Sequence, residues 1–146
     1  MTPYQTIYDA FLARILEDEW DTDGWTEAEK QEDWRQLLDM AIPWFKFPRT
    51  PLTRDENGFI NDLSSEEIQI LANYMKCEWL NRSILTWENV KPLYVERDFS
   101  QANLIDKLKA LLEQTRATTK EMESNYYRSR NGRPFSYRNL AGNKDD

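Results

Sequence analysis

Apolar residues recur with helical period in four separate stretches of this chain. Near the start, Tyr4, Ile7, Tyr8, Phe11, Leu12, Ile15 and Leu16 share one face, which predicts a helix with a core-facing stripe. Thr2, Pro3 and Gln5 read as its N-cap, its first helical residue and the closing partner of a capping box. The second stripe, Ala28, Trp34, Leu37, Leu38, Ala41 and Ile42, runs from a Thr26–Glu29 capping box to Pro43, which stops it. The third opens on a Ser64–Glu67 box and continues through Ile68, Leu71, Ala72, Met75 and Trp79, with Leu80 and Ile84 extending it. Cys77 lies just off that stripe and reads as an inert, buried or half-buried thiol. The fourth starts at a Ser100 cap and carries Leu104, Ile105, Leu108, Leu111, Leu112, Thr115 and Met122. Beyond Leu112 its apolar content thins to "EQTRATTKEMES". That end of the helix is expected to be exposed, or covered by another subunit.

Between the second and third stripes lies "PWFKFPRTPLTRDENGFIND", with three prolines and no helical period in Trp44, Phe45, Phe47 and Leu52. It predicts a long loop, with a short hairpin at Asn57-Gly58. Loops of this length in a compact domain tend to be functional or disordered, and the aromatics argue against disorder. The segment from Thr86 to Phe99 is less regular, and Pro92 breaks any helix there. The fold class that follows is all-α: a four-helix bundle, mostly antiparallel, with the aromatic and proline-rich loop between helices two and three and an extended C-terminal tail. Residues 1–123 form the bundle and residues 124–146 the tail.

Composition narrows the function. The 146 residues suffice for one domain with a modest core. Four glycines are too few for a turn-rich β fold. No run approaches the length of a membrane span, and "MTPYQTIYDAF" lacks the basic and apolar regions of a signal peptide. The net charge of −7 is unevenly placed. Residues 1–123 hold 24 acids and 14 bases, whereas residues 124–146 hold five bases and two acids. The acidic body weakens any general attraction to nucleic acid, and the tail is a separate electrostatic object.

Catalytic chemistry finds little to use. Without histidine, Ser-His, Cys-His and His-ligated metal sites are excluded within this chain. There is no glycine-rich nucleotide fingerprint. Glu19, Asp21, Asp23 and Gly24 can be laid on positions of a calcium-binding EF-hand loop, but the position that needs a bidentate glutamate is then Lys30, and Thr26 takes the apolar position. The plainer reading is a solvated helix–helix turn, with Glu27 and Glu29 suited to the positive N-terminus of helix two.

The tail "SNYYRSRNGRPFSYRN" is of another kind. Tyr126, Tyr127, Arg128, Arg130, Arg133, Phe135, Tyr137 and Arg138 are the residue types that carry energy at protein interfaces. Composition predicts a segment disordered in the free protein that gains order on docking. Arginines interleaved with aromatics also suit single-stranded nucleic acid, against the repulsion of the acidic body.

Three runs, "IYDAFLARILEDEW", "LLDMAIPWFKFPRTPL" and "LSSEEIQILANYMKCEWL", resemble a family of small tailed-phage head–tail connector proteins, the adaptor or head-completion proteins of the virion neck. The resemblance covers about residues 4–115. It implies a structural protein with no enzymatic activity and no cofactor or metal: a helical bundle forming a homo-oligomeric ring of about twelve subunits under the portal. It also implies a C-terminal segment that leaves the bundle and docks onto the portal protein, here about Ser124–Asn139 with the eight aromatic and arginine residues named above. The loop between middle helices would face the channel or the next ring, here about Trp44–Asp62 with Phe45, Phe47, Arg54, Asn57 and Gly58. The implied partners are the portal, the next connector or tail-completion protein, and double-stranded DNA passing without sequence-specific binding, with no membrane. The implied location is the head–tail interface of the virion, after assembly in the host cytoplasm. The resemblance does not separate an adaptor from a neighbouring neck ring. Two readings of other classes stay open: a nucleic-acid-binding helical protein using its basic tail, and a calcium-binding or metal-dependent module using the acidic turn.

Overall fold

The computed structural model describes residues 1–15, 26–90 and 98–128. Its elements, in chain order, are strand β1 (Thr2–Pro3), helix α1 (Tyr4–Leu12), helix α2 (Glu27–Ala41), a 3-10 turn (Ile42–Trp44), strand β2 (Gly58–Phe59), helix α3 (Ser65–Val90) and helix α4 (Asp98–Arg128). The protein is all-α, with four helices and one minimal two-stranded sheet among the described residues. None of these helices is long and apolar enough to cross a membrane.

α3 is the axis of the bundle, and α1, α2 and α4 all pack on it. A helix contacted from three sides cannot keep a single apolar stripe, because most of its circumference must be desolvated. Accordingly the six successive residues Ile70–Met75 are all buried, including Asn73 and Tyr74. Asn73 is satisfied there. Its side-chain oxygen accepts from Arg14 Nε at 2.8 Å and its amide reaches Met122 Sδ at 2.9 Å, so it ties the end of α1 to α4. Cys77 is buried in the same helix, and burial pushes its thiol above the ordinary range. Around this axis, Ile7, Phe11, Leu37, Leu38, Leu71, Met75 and Leu80 form the fully desolvated centre.

Of the three predicted capping boxes, the one at Ser64 and Glu67 forms in full and the one at Thr26 and Glu29 forms by its N-cap bond alone. Thr26 Oγ1 accepts the Glu29 N–H at 3.2 Å, and Ser64 Oγ accepts that of Glu67 at 3.2 Å while Glu67 accepts the Ser64 N–H at 2.8 Å. The box expected at Thr2 and Gln5 does not form. Thr2 is drawn into β1, where its hydroxyl donates to the Asn61 carbonyl at 3.1 Å and accepts from the Leu63 N–H at 2.9 Å. α1 therefore starts on Pro3 without a side-chain cap, and Gln5 bonds instead to Asp9 and Gln31. α1 is also shorter than its apolar stripe: it stops at Leu12, with Ile15 still buried in the turn beyond. Ser100 lies inside α4, which begins at Asp98, a shift within the usual fraying of helix ends.

The hairpin expected at Asn57-Gly58 is present. The Asp55 N–H donates to the Gly58 carbonyl and the Ile60 N–H to the Thr53 carbonyl, both at 2.9 Å. The Asp55 carboxylate fixes the turn by accepting the N–H groups of Asn57 (2.7 Å) and Gly58 (3.2 Å). β1 then adds to β2 in antiparallel register, Thr2 opposite Phe59 and Pro3 opposite Gly58. Glycine is required there by close approach: a Cβ on Gly58 would overlap the Thr2 carbonyl oxygen and stand 2.8 Å from Pro3 Cα. This half of the loop is tied to the bundle by the fully buried Phe59, by the Tyr4 hydroxyl donating to the Asp55 carbonyl at 2.6 Å, and by the Arg54–Asp39 ion pair at 2.6 Å.

The thin end of α4 is covered by its own chain. Ile105, Leu112, Thr115, Thr119, Glu123 and Tyr126 are all buried, at spacings of three, four or seven, on the side that meets α3. The stripe continues past Leu112, but in polar residues. Thr115 and Thr119 remain neutral to bury because each hydroxyl donates to the carbonyl one turn back, Leu111 at 2.7 Å and Thr115 at 2.6 Å.

Candidate functional site

The helix does not release the chain at Glu123. Ser124–Arg128 are the last turn and more of α4, and Tyr126 is a core residue. This corrects the expectation that the extended tail begins at Ser124. The physical reason is a binding position for the Tyr126 hydroxyl and ring that the middle loop supplies. The hydroxyl donates to Glu67 Oε2 at 3.0 Å and accepts the Arg49 N–H at 2.6 Å. The ring meets Phe45 edge-on at 5.4 Å, and the Arg49 guanidinium lies 4.6 Å from its centre. The loop and the end of α4, two separate features in the sequence, are thus one structure.

Glu67 is the anchor of that structure. It is 1% exposed, yet its carboxylate accepts four hydrogen bonds. Oε1 takes the Ser64 N–H and the Thr50 hydroxyl, both at 2.8 Å, and Oε2 takes the Thr50 N–H at 3.1 Å and the Tyr126 hydroxyl. Burial pushes its pKa up, but the bonds from Ser64, Thr50 and Tyr126 outweigh it and hold the group below the ordinary carboxylate value. One carboxylate therefore caps α3, pins the loop at Thr50 and fixes the end of α4.

A second carboxylate does related work nearer the surface. Glu123, also buried, accepts the Tyr74 hydroxyl on one oxygen and the Tyr127 hydroxyl at 2.7 Å on the other. Each phenol carries a loop aromatic: Trp44 stacks on Tyr74 at 6.4 Å and 20°, and Phe47 meets Tyr127 edge-on at 6.2 Å. Burial first, and the Glu123 bond second, push the Tyr127 hydroxyl up to about 12, so it remains a donor throughout the physiological range. The outer members of this row are open to solvent: Trp44 is 50% exposed, Phe47 72% and Tyr127 39%. Three large aromatics are thereby held at the surface, Phe47 and Tyr127 beside the end of α4 at Arg128 and Trp44 further back, against Arg116 and Lys120.

The sequence-based site residues divide accordingly. Phe47, Tyr127 and exposed Arg128 belong to this edge. Phe45 and Tyr126 lie beneath it, 3% exposed each, and are not presented to a partner. In the other half of the loop, Arg54 and Asn57 are exposed, but Gly58 is buried against β1 and presents nothing. Arg130, Arg133, Phe135, Tyr137 and Arg138 lie outside the described residues, as do Glu19, Asp21, Asp23 and Gly24 of the acidic turn. Sequence reasoning missed Arg49, Tyr74 and Glu123. The spacing of Glu123 and Tyr127, one helical turn apart, was a readable signal for the last; nothing local announced Tyr74 as a partner of either. Among the described residues no group of three or more metal-ligating side chains is placed to hold an ion. No family model, curated protein or solved structure matches this chain.

Proposed function

We propose that this protein is a structural connector of a tailed-phage neck: one subunit of an adaptor ring that joins the portal to the next ring or the tail and surrounds the DNA channel, with no catalytic role. The resemblance in residues 4–115 supplies the class. The observation that carries a docking role is the aromatic edge: Phe47 and Tyr127 stand exposed on a fixed frame, at the helix end from which the basic residues 129–146 continue. Such an edge loses little side-chain entropy on binding, because its rings are already positioned. The arginine- and tyrosine-rich continuation adds charge-assisted contacts. Within a ring, many weak attachments act together, so each one need not be tight. The acidic body would keep passing DNA from adhering to the wall.

Co-sedimentation with purified portal rings tests this reading. Truncation belongs after Arg128, since a cut at Glu123 would also remove Tyr126 from the core. A chain lacking residues 129–146, and separately a Phe47→Ser chain, should stay folded and bind the portal much more weakly than the intact protein. Attachment equal to that of the intact chain in both cases defeats the assignment of this edge and tail as the portal-docking surface.

A further inference from the structure

Beside the aromatic edge, the 3-10 turn, α3 and α4 enclose a cleft of about 250 Å³. Trp44 forms one wall, its indole N–H donating to Glu78 at 2.8 Å, and Arg116 and Lys120 form the other. These two cations are one turn apart on α4, exposed, and without an ion-pair partner among the described residues. The cleft is smaller than the roughly 300–1,000 Å³ typical of small-molecule pockets, so it suits side chains rather than a cofactor. A polyanion such as a nucleic-acid strand would meet the Glu78 carboxylate and the acidic body. Two carboxylates from a protein surface meet Arg116 and Lys120 one for one and carry less of that cost than a polyanion does.

The chain itself has the complementary surface. On α2, Glu29, Glu32 and Gln36 line a shallow exposed groove of about 390 Å³. Asp33 in the same groove is already matched by a two-bond pair with Arg82, at 2.6 and 3.0 Å. Glu29 and Glu32 have no cationic partner among the described residues. One patch is an open acidic trough, and the other presents two exposed cationic arms beside an exposed indole.

We propose that the Trp44–Arg116–Lys120 cleft of one copy receives the Glu29–Glu32 face of α2 of a second copy. The two patches are different surfaces of the subunit, so the contact is head-to-tail: an open row keeps one unused patch at each end until a ring closes. The inference rests on the connector reading only in taking a ring as the place where the contact is made. It identifies which faces of the subunit meet.

Charge exchange tests it, with self-association of the full-length chain read by sedimentation velocity over a concentration series. The wild-type chain should assemble, and less so as salt is raised. Glu29→Lys with Glu32→Lys should abolish assembly by placing cations against cations, and Arg116→Glu with Lys120→Glu should abolish it by placing acids against acids. An equimolar mixture of the two variants should assemble again, because each then offers the other a matched face. That rescue cannot come from a misfolded chain. A wild-type chain that stays monomeric at every concentration, a variant that assembles alone, or a mixture that stays apart overturns the proposal. Self-association needs no portal, so its failure is separable from failure of the connector reading: portal binding without this contact sinks only the interface, and this contact without portal binding sinks only the connector role.

Discussion

Replacing Glu67 with glutamine should unfold this protein far more readily than its single-atom change suggests. The carboxylate is 1% exposed and faces donors on both oxygens. Two of these donors, the N–H groups of Ser64 and Thr50, belong to the backbone and cannot turn to accept. Whichever way the new amide is oriented, its NH2 opposes one of them. One charge-assisted bond is lost, about 1.5–3 kcal/mol, and one buried N–H is left without a partner, about 1–3 kcal/mol. The remaining bonds become neutral and weaker. With the side chain 1% exposed, about 3–5 kcal/mol is expected, as for breaking other buried charged groups. For a chain of this size that lowers Tm by about 10 °C. Urea titration followed by tryptophan fluorescence and helical circular dichroism measures it. The pH dependence gives an independent reading. The folded-state pKa of Glu67 lies below its ordinary 4.5, so its contribution is fully present above pH 4.5 and is lost as pH falls through the lower folded value. The glutamine variant has no such proton to take up and should show a shallower acid limb. A variant within about 1 kcal/mol of wild type at neutral pH, or one with an unchanged acid limb, would refute the assignment of Glu67 as the anchor of loop and helix.

Two further substitutions probe the frame around it. Leu71→Ala, at a position with no exposed surface, should cost about 2–5 kcal/mol in the same urea titration, and wild-type-like stability would show that α3 is not the axis of the core. Gly58→Ala should cost about 1–3 kcal/mol by forcing β1 away from β2. The helical circular dichroism should be retained, because the sheet lies outside the helices; its loss would show that the N-terminal strand is needed for the bundle itself.

How far the sequence reaches can be read from particular residues. The four apolar stripes predict four helices, because burial of a periodic face is a local property of sequence. The boxes at Thr26–Glu29 and Ser64–Glu67 are legible for the same reason, since donor and acceptor are three residues apart. Asn57-Gly58 announces its hairpin, since the Asp55 carboxylate two and three residues away closes the turn locally. What local pattern cannot show is a partner supplied from far along the chain. Thr2 looks like a helix cap and becomes a strand residue because the segment from Asn61 to Leu63 competes for its hydroxyl. The second half of α4 looks solvent-facing because its buried positions are threonine, glutamate and tyrosine. The threonines bond back within α4, whereas Glu123 and Tyr126 are buried at low cost only because α3 and the loop complete their hydrogen bonds. Tyr126 reads as part of a sticky tail, yet Glu67, Arg49 and Phe45 make it a core residue. The sequence by itself determined the helices, their order and the uneven charge. Only the tertiary structure decided which aromatics are anchors and which are presented, because that depends on two carboxylates, Glu67 and Glu123, each bonding residues more than forty positions away in the chain.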